Sequence, residues 1–140
     1  MNKQTVCFDF DYTLAIEEVS GGWIAVGTGV LKPVQKIIDM VFEKDRENFD
    51  CHIVTFRKNG DIPEVKEFVK KHNLPIKGIH STSGMSKIPI LKKLNCTLMV
   101  DDQVEVCTAC IMNDIPCLLV DHGFSGTNNC VADRMDKIKV

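Results

Sequence analysis

The sequence has no apolar run approaching the roughly 20 residues needed to cross ~30 Å of hydrocarbon, which speaks against a membrane-spanning protein. It has little excess charge of either sign: a net charge of −2 on 140 residues gives no broad field for a long nucleic-acid footprint, leaving only local basic patches. Aromatic residues are scarce, with a single tryptophan, Trp23, and a single tyrosine, Tyr12, so any surface for stacking a base or ring is confined to a few places. Low-complexity stretches, internal repeats and linkers are also missing. The N-terminal MNKQTVCFDF has neither the apolar stretch nor the small-residue cleavage site of a signal peptide, so the expected location is cytoplasmic. What is present, 44% hydrophobic and 26% charged residues, suits a folded chain, and the length predicts one domain over 1–140.

The seven cysteines are an odd number, and Cys7, Cys51, Cys96 and Cys117 lie in or beside apolar, strand-like segments where a reduced thiol behaves as a small hydrophobe. Cys107 and Cys110 form a C-x-x-C pair, but no second pair stands at zinc-finger spacing and a helical pattern runs through both. Free, structural thiols are the expectation.

Short apolar runs alternate with segments of helical period, which predicts an α/β class, a three-layer Rossmann-like domain whose central parallel sheet has about five strands. Strands are expected at Thr5 to Phe10, Cys51 to Thr55, Ile76 to His80, Thr97 to Asp101 and Pro116 to Asp121. Helices are expected across Val34 to Phe42, Ile62 to Lys71, Ser86 to Leu94 and Val104 to Met112, with a short one in Asn128 to Lys137. Glycines 21, 22, 27 and 29 surround Trp-Ile-Ala-Val, so residues 16–30 read as a glycine-bounded β-hairpin, a flap between the first strand and first helix.

Open parallel sheets bind ligands outside the carboxyl ends of their strands. The first strand ends in Asp9-Phe10-Asp11-Tyr12-Thr13, the second in Thr55-Phe56-Arg57 and the fourth in Asp101-Asp102, while Lys87 follows the third. Acids gathered at neighbouring strand ends repel one another unless a cation resides among them, and oxygen ligands without His or Cys favour magnesium. Magnesium held by carboxylates usually meets a phosphate, and Thr55, Lys87 and Arg57 offer a hydroxyl and two positive charges to hold one. Trp23, in the flap, either packs on the body or reaches over the site as a stacking surface; His122, after the last strand, lies on the same rim, either as a solvated loop histidine or as a further substrate contact.

These residues resemble, in order and across roughly residues 5 to 125, the four motifs of the haloacid dehalogenase superfamily of phosphatases. The resemblance implies that Asp9 attacks phosphorus to form an aspartyl-phosphate. It implies that Asp11 serves as general acid and then base, and that its backbone carbonyl joins the Asp9 side chain in binding Mg2+. Thr55 matches the second motif and Lys87 the third, with Lys92 and Lys93 as alternatives for the latter. Asp101 and Asp102 match the acidic fourth motif; Asp102 is favoured as metal ligand, and Asp101 is a further ligand or a supporting residue. A second acid at position 11 argues for phosphate-ester hydrolysis over dehalogenation. Tyr12 stands where many members of that family have glycine, which implies a bulkier wall beside the phosphate.

Neither inter-motif segment is long enough for a cap, so the site is expected to be open, suiting an extended phosphate or closure by a neighbouring subunit in an oligomer. The compact layout and the Asp-Asp-x-x-x-Val run are similar to the phosphatase part of polynucleotide kinase-phosphatases, which implies a nucleotide or a nucleic-acid 3′-phosphate end as substrate. Sugar phosphates and phosphoproteins are alternative substrates, and a non-catalytic phosphate-binding or protein-interaction module is the alternative function.

Overall fold

The computed structural model describes residues 3–15, 36, 48–121 and 136–139. The flap with Trp23, the helix expected across Val34 to Phe42 apart from Lys36, and His122 lie outside the described residues.

Six parallel strands form one sheet: β1 (Gln4–Phe8), β2 (Phe49–Thr55), β3 (Ile76–Ser81), β4 (Cys96–Asp101), β5 (Cys117–Asp121) and β6 (Asp136–Lys139), in the spatial order β3-β2-β1-β4-β5-β6. Three helices are described: α1 (Ile62–Lys71), α2 (Ile88–Lys93) and α3 (Val104–Met112), with a short 3-10 turn at Asn59–Asp61 leading into α1. The strand order reverses beside β1: the chain runs outward through β2 and β3, then crosses back to β4 on the other side of β1. Such a reversal opens a crevice at the carboxyl ends of the two central strands, here between β1 and β4.

The central strands are apolar in nearly every position because both faces are covered. Val6, Phe8, Cys51, Ile53, Val100 and Val120 point to one face and meet Val65 and Phe68 of α1. Cys7, Val54, Met99 and Leu119 point to the other and meet Leu91 of α2 and Val106, Cys107 and Cys110 of α3. Phe10, just past β1, closes the first core, its ring edge-on to Phe68 at 5.1 Å. The C-x-x-C pair therefore belongs to the packed face of α3, where Cys107 lies against Cys117 of β5. The six described cysteines are free thiols.

The helices over Ile62–Lys71 and Val104–Met112 agree with the sequence pattern. The short helix expected through Lys137 is corrected at its described end: Asp136 and Lys137 are strand residues, paired in parallel with Leu118 and Leu119. A sheet edge offers a row of unmet backbone donors and acceptors, and this tetrapeptide satisfies those of β5, which local helical spacing could not anticipate. Between β2 and β3 the chain holds only the 3-10 turn and α1, leaving no insertion there for a cap. Among the described residues no helix is long and apolar enough to cross a membrane.

Candidate active site

β1 ends at Phe8, but the Asp9 amide still donates to the Val100 carbonyl at 2.9 Å, so Asp9 is fixed at the mouth of the β1–β4 crevice. The chain then folds tightly. The Phe10 carbonyl accepts from the amides of Thr13, Leu14 and Ala15, and the Tyr12 amide donates to Ala15 O. Tyr12 takes a left-handed φ of 60°, a conformation that costs an L-residue with a Cβ about 1–2 kcal/mol and glycine nothing. The turn thus supplies a physical reason for glycine at this position.

Two groups of polar side chains result. In the first, deeper group the Lys87 ammonium donates to Asp9 Oδ1 at 2.9 Å and to Asp101 Oδ2 at 2.8 Å. Lys87 is 2% exposed and its ammonium lies 4.4 Å from the centre of the Phe56 ring. The other Asp101 oxygen accepts from the Gln103 amide at 3.0 Å, so both Asp101 oxygens are engaged. Asp9 Oδ2 receives only a long 3.4 Å hydrogen bond from the Thr13 hydroxyl. Asp102 Oδ1 is buried with no hydrogen-bond partner. Asp9, Asp101 and Asp102 each offer an oxygen within 4.8 Å of the others.

The electrostatics of this group are unbalanced, with three carboxylates facing one ammonium. Burial works against the charge on Lys87, but Asp9 and Asp101 outweigh it and hold the ammonium above its ordinary value. Burial and then Asp9 push the Asp101 carboxyl up to about 7 against the pull of Lys87. Burial, then the adjoining Asp9 and Asp101, push Asp102 up to about 8. A divalent cation matches the charge left over, and the orphaned Asp102 oxygen together with the weakly engaged Asp9 Oδ2 gives it hard oxygen donors. Asp101, held by Lys87 and Gln103, supports this arrangement from behind.

The second group lies nearer the surface. Arg57 grips Asp11 with two parallel hydrogen bonds, Nε to Oδ2 at 2.9 Å and Nη2 to Oδ1 at 2.7 Å, and donates from Nη1 to Glu64 Oε2 at 2.8 Å. Its guanidinium lies 5.1 Å from the Phe10 ring centre. The hydrogen bonds to Asp11, then Glu64, raise the Arg57 pKa above its already high value. Thr55, at the end of β2 and 1% exposed, accepts the Arg57 amide at its Oγ1, 3.2 Å away, which leaves the hydroxyl proton to be donated elsewhere. The Ser81 hydroxyl, at the end of β3, donates to the Arg57 carbonyl and ties the loop to the sheet.

Of the residues singled out in the sequence, Asp9, Lys87, Asp101 and Asp102 meet in one cluster, and Asp11 and Arg57 in the adjoining one, with Thr55 bonded to the Arg57 amide. Lys92 and Lys93 are exposed in the last turn of α2. Trp23 and His122 lie outside the described residues. Three contributors carried no role in the sequence reading: Thr13, Gln103 through its amide, and Glu64. For Glu64 the available signal was an acid in the first turn of the helix that follows Thr55-Phe56-Arg57.

No family model matches the sequence, and no curated protein matches it. Among solved structures the chain is similar to one from Vibrio cholerae, described as a candidate 3-deoxy-D-manno-octulosonate 8-phosphate phosphatase. The TM-score is 0.57 and the identity 12%, over 99% of this chain and 74% of that one. At that identity the likeness is one of architecture, and it agrees with the parallel sheet. The chain shares the parallel α/β fold of that structure.

Proposed function

We propose that this chain is a magnesium-dependent phosphomonoester hydrolase working through an aspartyl-phosphate on Asp9. The observation that carries the proposal is the deep cluster: a buried lysine spanning Asp9 and Asp101, beside a buried Asp102 oxygen with no partner. Buried polar groups are nearly always satisfied, so an orphaned carboxylate oxygen among two further acids is the mark of a cation site. The phosphatase name attached to the structural relative from Vibrio cholerae supports the same reaction class.

In this reading Asp9, Asp102 and the Asp11 backbone carbonyl hold Mg2+, which when bound neutralises charge on the acids and on the phosphate oxygens. Lys87 orients Asp9 through Oδ1; one Asp9 oxygen attacks phosphorus as the bond to the leaving oxygen breaks, while the other faces the cation. The Thr55 hydroxyl donates to a phosphoryl oxygen. Asp11 delivers a proton to the leaving oxygen, then takes one from the water that attacks phosphorus and returns Asp9 to its carboxylate form. The substrate is a nucleotide-type phosphate, a reading supported by the Thr55-Phe56-Arg57 run and its resemblance to polynucleotide phosphatases.

Phosphate release tests this directly. The panel comprises p-nitrophenyl phosphate, nucleoside 3′- and 5′-monophosphates, 3′-phosphorylated oligonucleotides, sugar and sugar-acid phosphates, and phosphopeptides, each with magnesium and with chelator. Magnesium-dependent release that disappears in Asp9→Asn is the expected result. Release that survives that substitution removes Asp9 as nucleophile, and release confined to sugar phosphates or phosphopeptides removes the nucleotide.

A further inference from the structure

Two histidines that take no part in the proposed reaction meet on adjacent strands, away from the acids. Alternation along β2 puts His52 on the same face as Val54, which packs against α2 and α3, and the register sets His80 of β3 opposite Val54. The facing ring nitrogens, His52 Nδ1 and His80 Nε2, are 3.0 Å apart, and both residues are half-buried. His52 precedes Thr55 in β2 by roughly 10 Å of strand, so the pair lies well below the strand ends where Asp9, Asp101 and Asp102 gather.

The meeting depends on Gly78. It faces His52 in the register, and a Cβ on it would lie 2.9 Å from His52 Nδ1 and 3.1 Å from His80 Nε2, so a side chain there would part the rings. Glycine inside a strand is unfavourable by about 0.5–1 kcal/mol relative to alanine, and here it lets two imidazole nitrogens come to one point. A neutral imidazole has one N–H and one lone pair, so with nothing between them one ring donates to the other. The same spacing suits a shared ion. Two nitrogens each about 2.0–2.1 Å from one ion stand roughly 2.8–3.4 Å apart as their angle opens from square to tetrahedral, and the pair falls inside that range. Imidazole suits zinc, nickel, copper and iron, whereas magnesium takes oxygen donors, so this pair and the acids select different ions.

The charges acting on the pair are few. Asp50 favours a cation at His52, Lys77 opposes it there, and Lys93, in the last turn of α2, opposes it at His80. Asp50 itself is held by Lys3 and Lys77. We propose that His52 and His80 form a metal site separate from the acids, for a first-row transition ion such as zinc or nickel, which takes the place of their hydrogen bond. The proton between the two nitrogens moves to the far nitrogen of its own ring, so the ion receives two lone pairs and the protein loses no proton. Water fills the remaining positions, reaching them because the rings are half-buried. The ion ties the outer strand β3 to β2. It thereby braces Thr55, at the end of β2, and Ser81, whose hydroxyl holds the Arg57 carbonyl at the end of β3.

The test reads metal binding and does not depend on turnover. Calorimetry on the full chain, with excess Mg2+ to occupy the acids, compares Ni2+ with Mn2+. Ni2+ should bind at least tenfold more tightly than Mn2+, in the order expected of nitrogen donors. His52→Gln and His80→Gln should each weaken Ni2+ at least tenfold. At about pH 7.5 the heat of binding should be the same in buffers of different ionisation enthalpy, because neutral imidazoles release no net proton while coordinating thiols do. With diamagnetic Zn2+, the nitrogen resonances of the His52 and His80 rings in wild-type protein should move and those of His72 should stay in place.

Unchanged Ni2+ affinity in either variant overturns the site, as does Ni2+ that binds no more tightly than Mn2+ or not at all. Proton release on binding assigns the ion to thiols and overturns it as well. Zn2+ that leaves the His52 and His80 resonances unmoved reduces the two histidines to a hydrogen-bonded pair. None of these outcomes touches the phosphatase reading, which rests on other residues. Should a variant fail to fold, the proton count and the ring resonances of wild-type protein still decide.

Discussion

Lys87 shows how much one side chain contributes to this site. Its ammonium is the link between Asp9 and Asp101, and all three groups are buried. Removing one partner of a buried ion pair leaves an uncompensated charge and typically costs about 3–5 kcal/mol. Lys87→Met should therefore lower the free energy of unfolding in urea by an amount in that range at neutral pH and abolish turnover. Because protonating the acids relieves the repulsion, the stability loss should shrink towards pH 4; a loss independent of pH would mean that packing, and not charge, accounts for it.

The pH dependence of the metal-free protein follows from Asp101 and Asp102. Their folded values, about 7 and about 8, lie above the ordinary carboxylate value. The folded state therefore binds protons more tightly than the unfolded chain, which stabilises it fully below about pH 4, and this stabilisation is lost as pH rises through 7 and 8. In chelator, the melting temperature should fall between pH 5 and 9. In the proposed reading magnesium binds the ionised form, so the gain in melting temperature on adding it should grow over the same interval. A magnesium effect that is flat with pH, or largest at pH 5, would place the ion away from these two acids.

At the scale of elements, β2 and β3 pack through an unusual contact on the face they share. His52 Nδ1 and His80 Nε2 are 3.0 Å apart, and burial lowers both imidazoles so that one donates and the other accepts. Gly78 lies opposite His52 in the register; a Cβ there would sit 2.9 Å from His52 Nδ1 and 3.1 Å from His80 Nε2. Glycine in a strand costs about 0.5–1 kcal/mol in chain entropy, while forcing atoms into a filled space costs about 1–3 kcal/mol. Crowding wins for a branched side chain, so Gly78→Val should destabilise by about 1–2 kcal/mol in urea unfolding. His80→Ala should relieve most of that cost in the double variant; simple additivity would show that the histidine pair is not what the new side chain meets.

The elements also show what was legible in the sequence. Ile62–Lys71 and Val104–Met112 were readable to the residue because the apolar positions of each recur at helical spacing and, in the first, proline marks the start. The central strands were readable because burial on both faces leaves them largely apolar. β6 was not: four residues with charge at Asp136, Lys137 and Lys139 carry no strand pattern, and only the open edge of β5 makes them one. In the site, Asp9, Lys87, Asp101 and Asp102 could be placed because they sit at strand ends or just ahead of a helix. The Asp11–Arg57–Glu64 arrangement could not, since which acid an arginine grips is decided by three loops and helices meeting in space, as were the Asp101 contacts with Lys87 and the Gln103 amide.

At the scale of the whole molecule, the site couples the two halves of the sheet. Asp9 belongs to the end of β1, Asp101 to the end of β4, and Lys87 to the segment entering α2, so a ligand among them ties elements far apart in the chain. A ligand that binds only the folded state raises global stability by RT ln(1 + [L]/Kd), about 2.7 kcal/mol at a hundredfold excess over Kd. Beryllium fluoride is tetrahedral and mimics a phosphoryl group on a carboxylate, so with magnesium it should raise the melting temperature by several degrees more than magnesium alone. Neither beryllium fluoride without magnesium nor the pair added to Asp9→Ala should do so. Asp11→Asn keeps Asp9 and the acids of β4, and so should keep the response while losing turnover by a factor on the order of 10²–10⁴. Retention of the response in Asp9→Ala would show that the phosphoryl mimic binds somewhere other than the β1–β4 crevice, and would separate the anion site from the cation site proposed at the three acids.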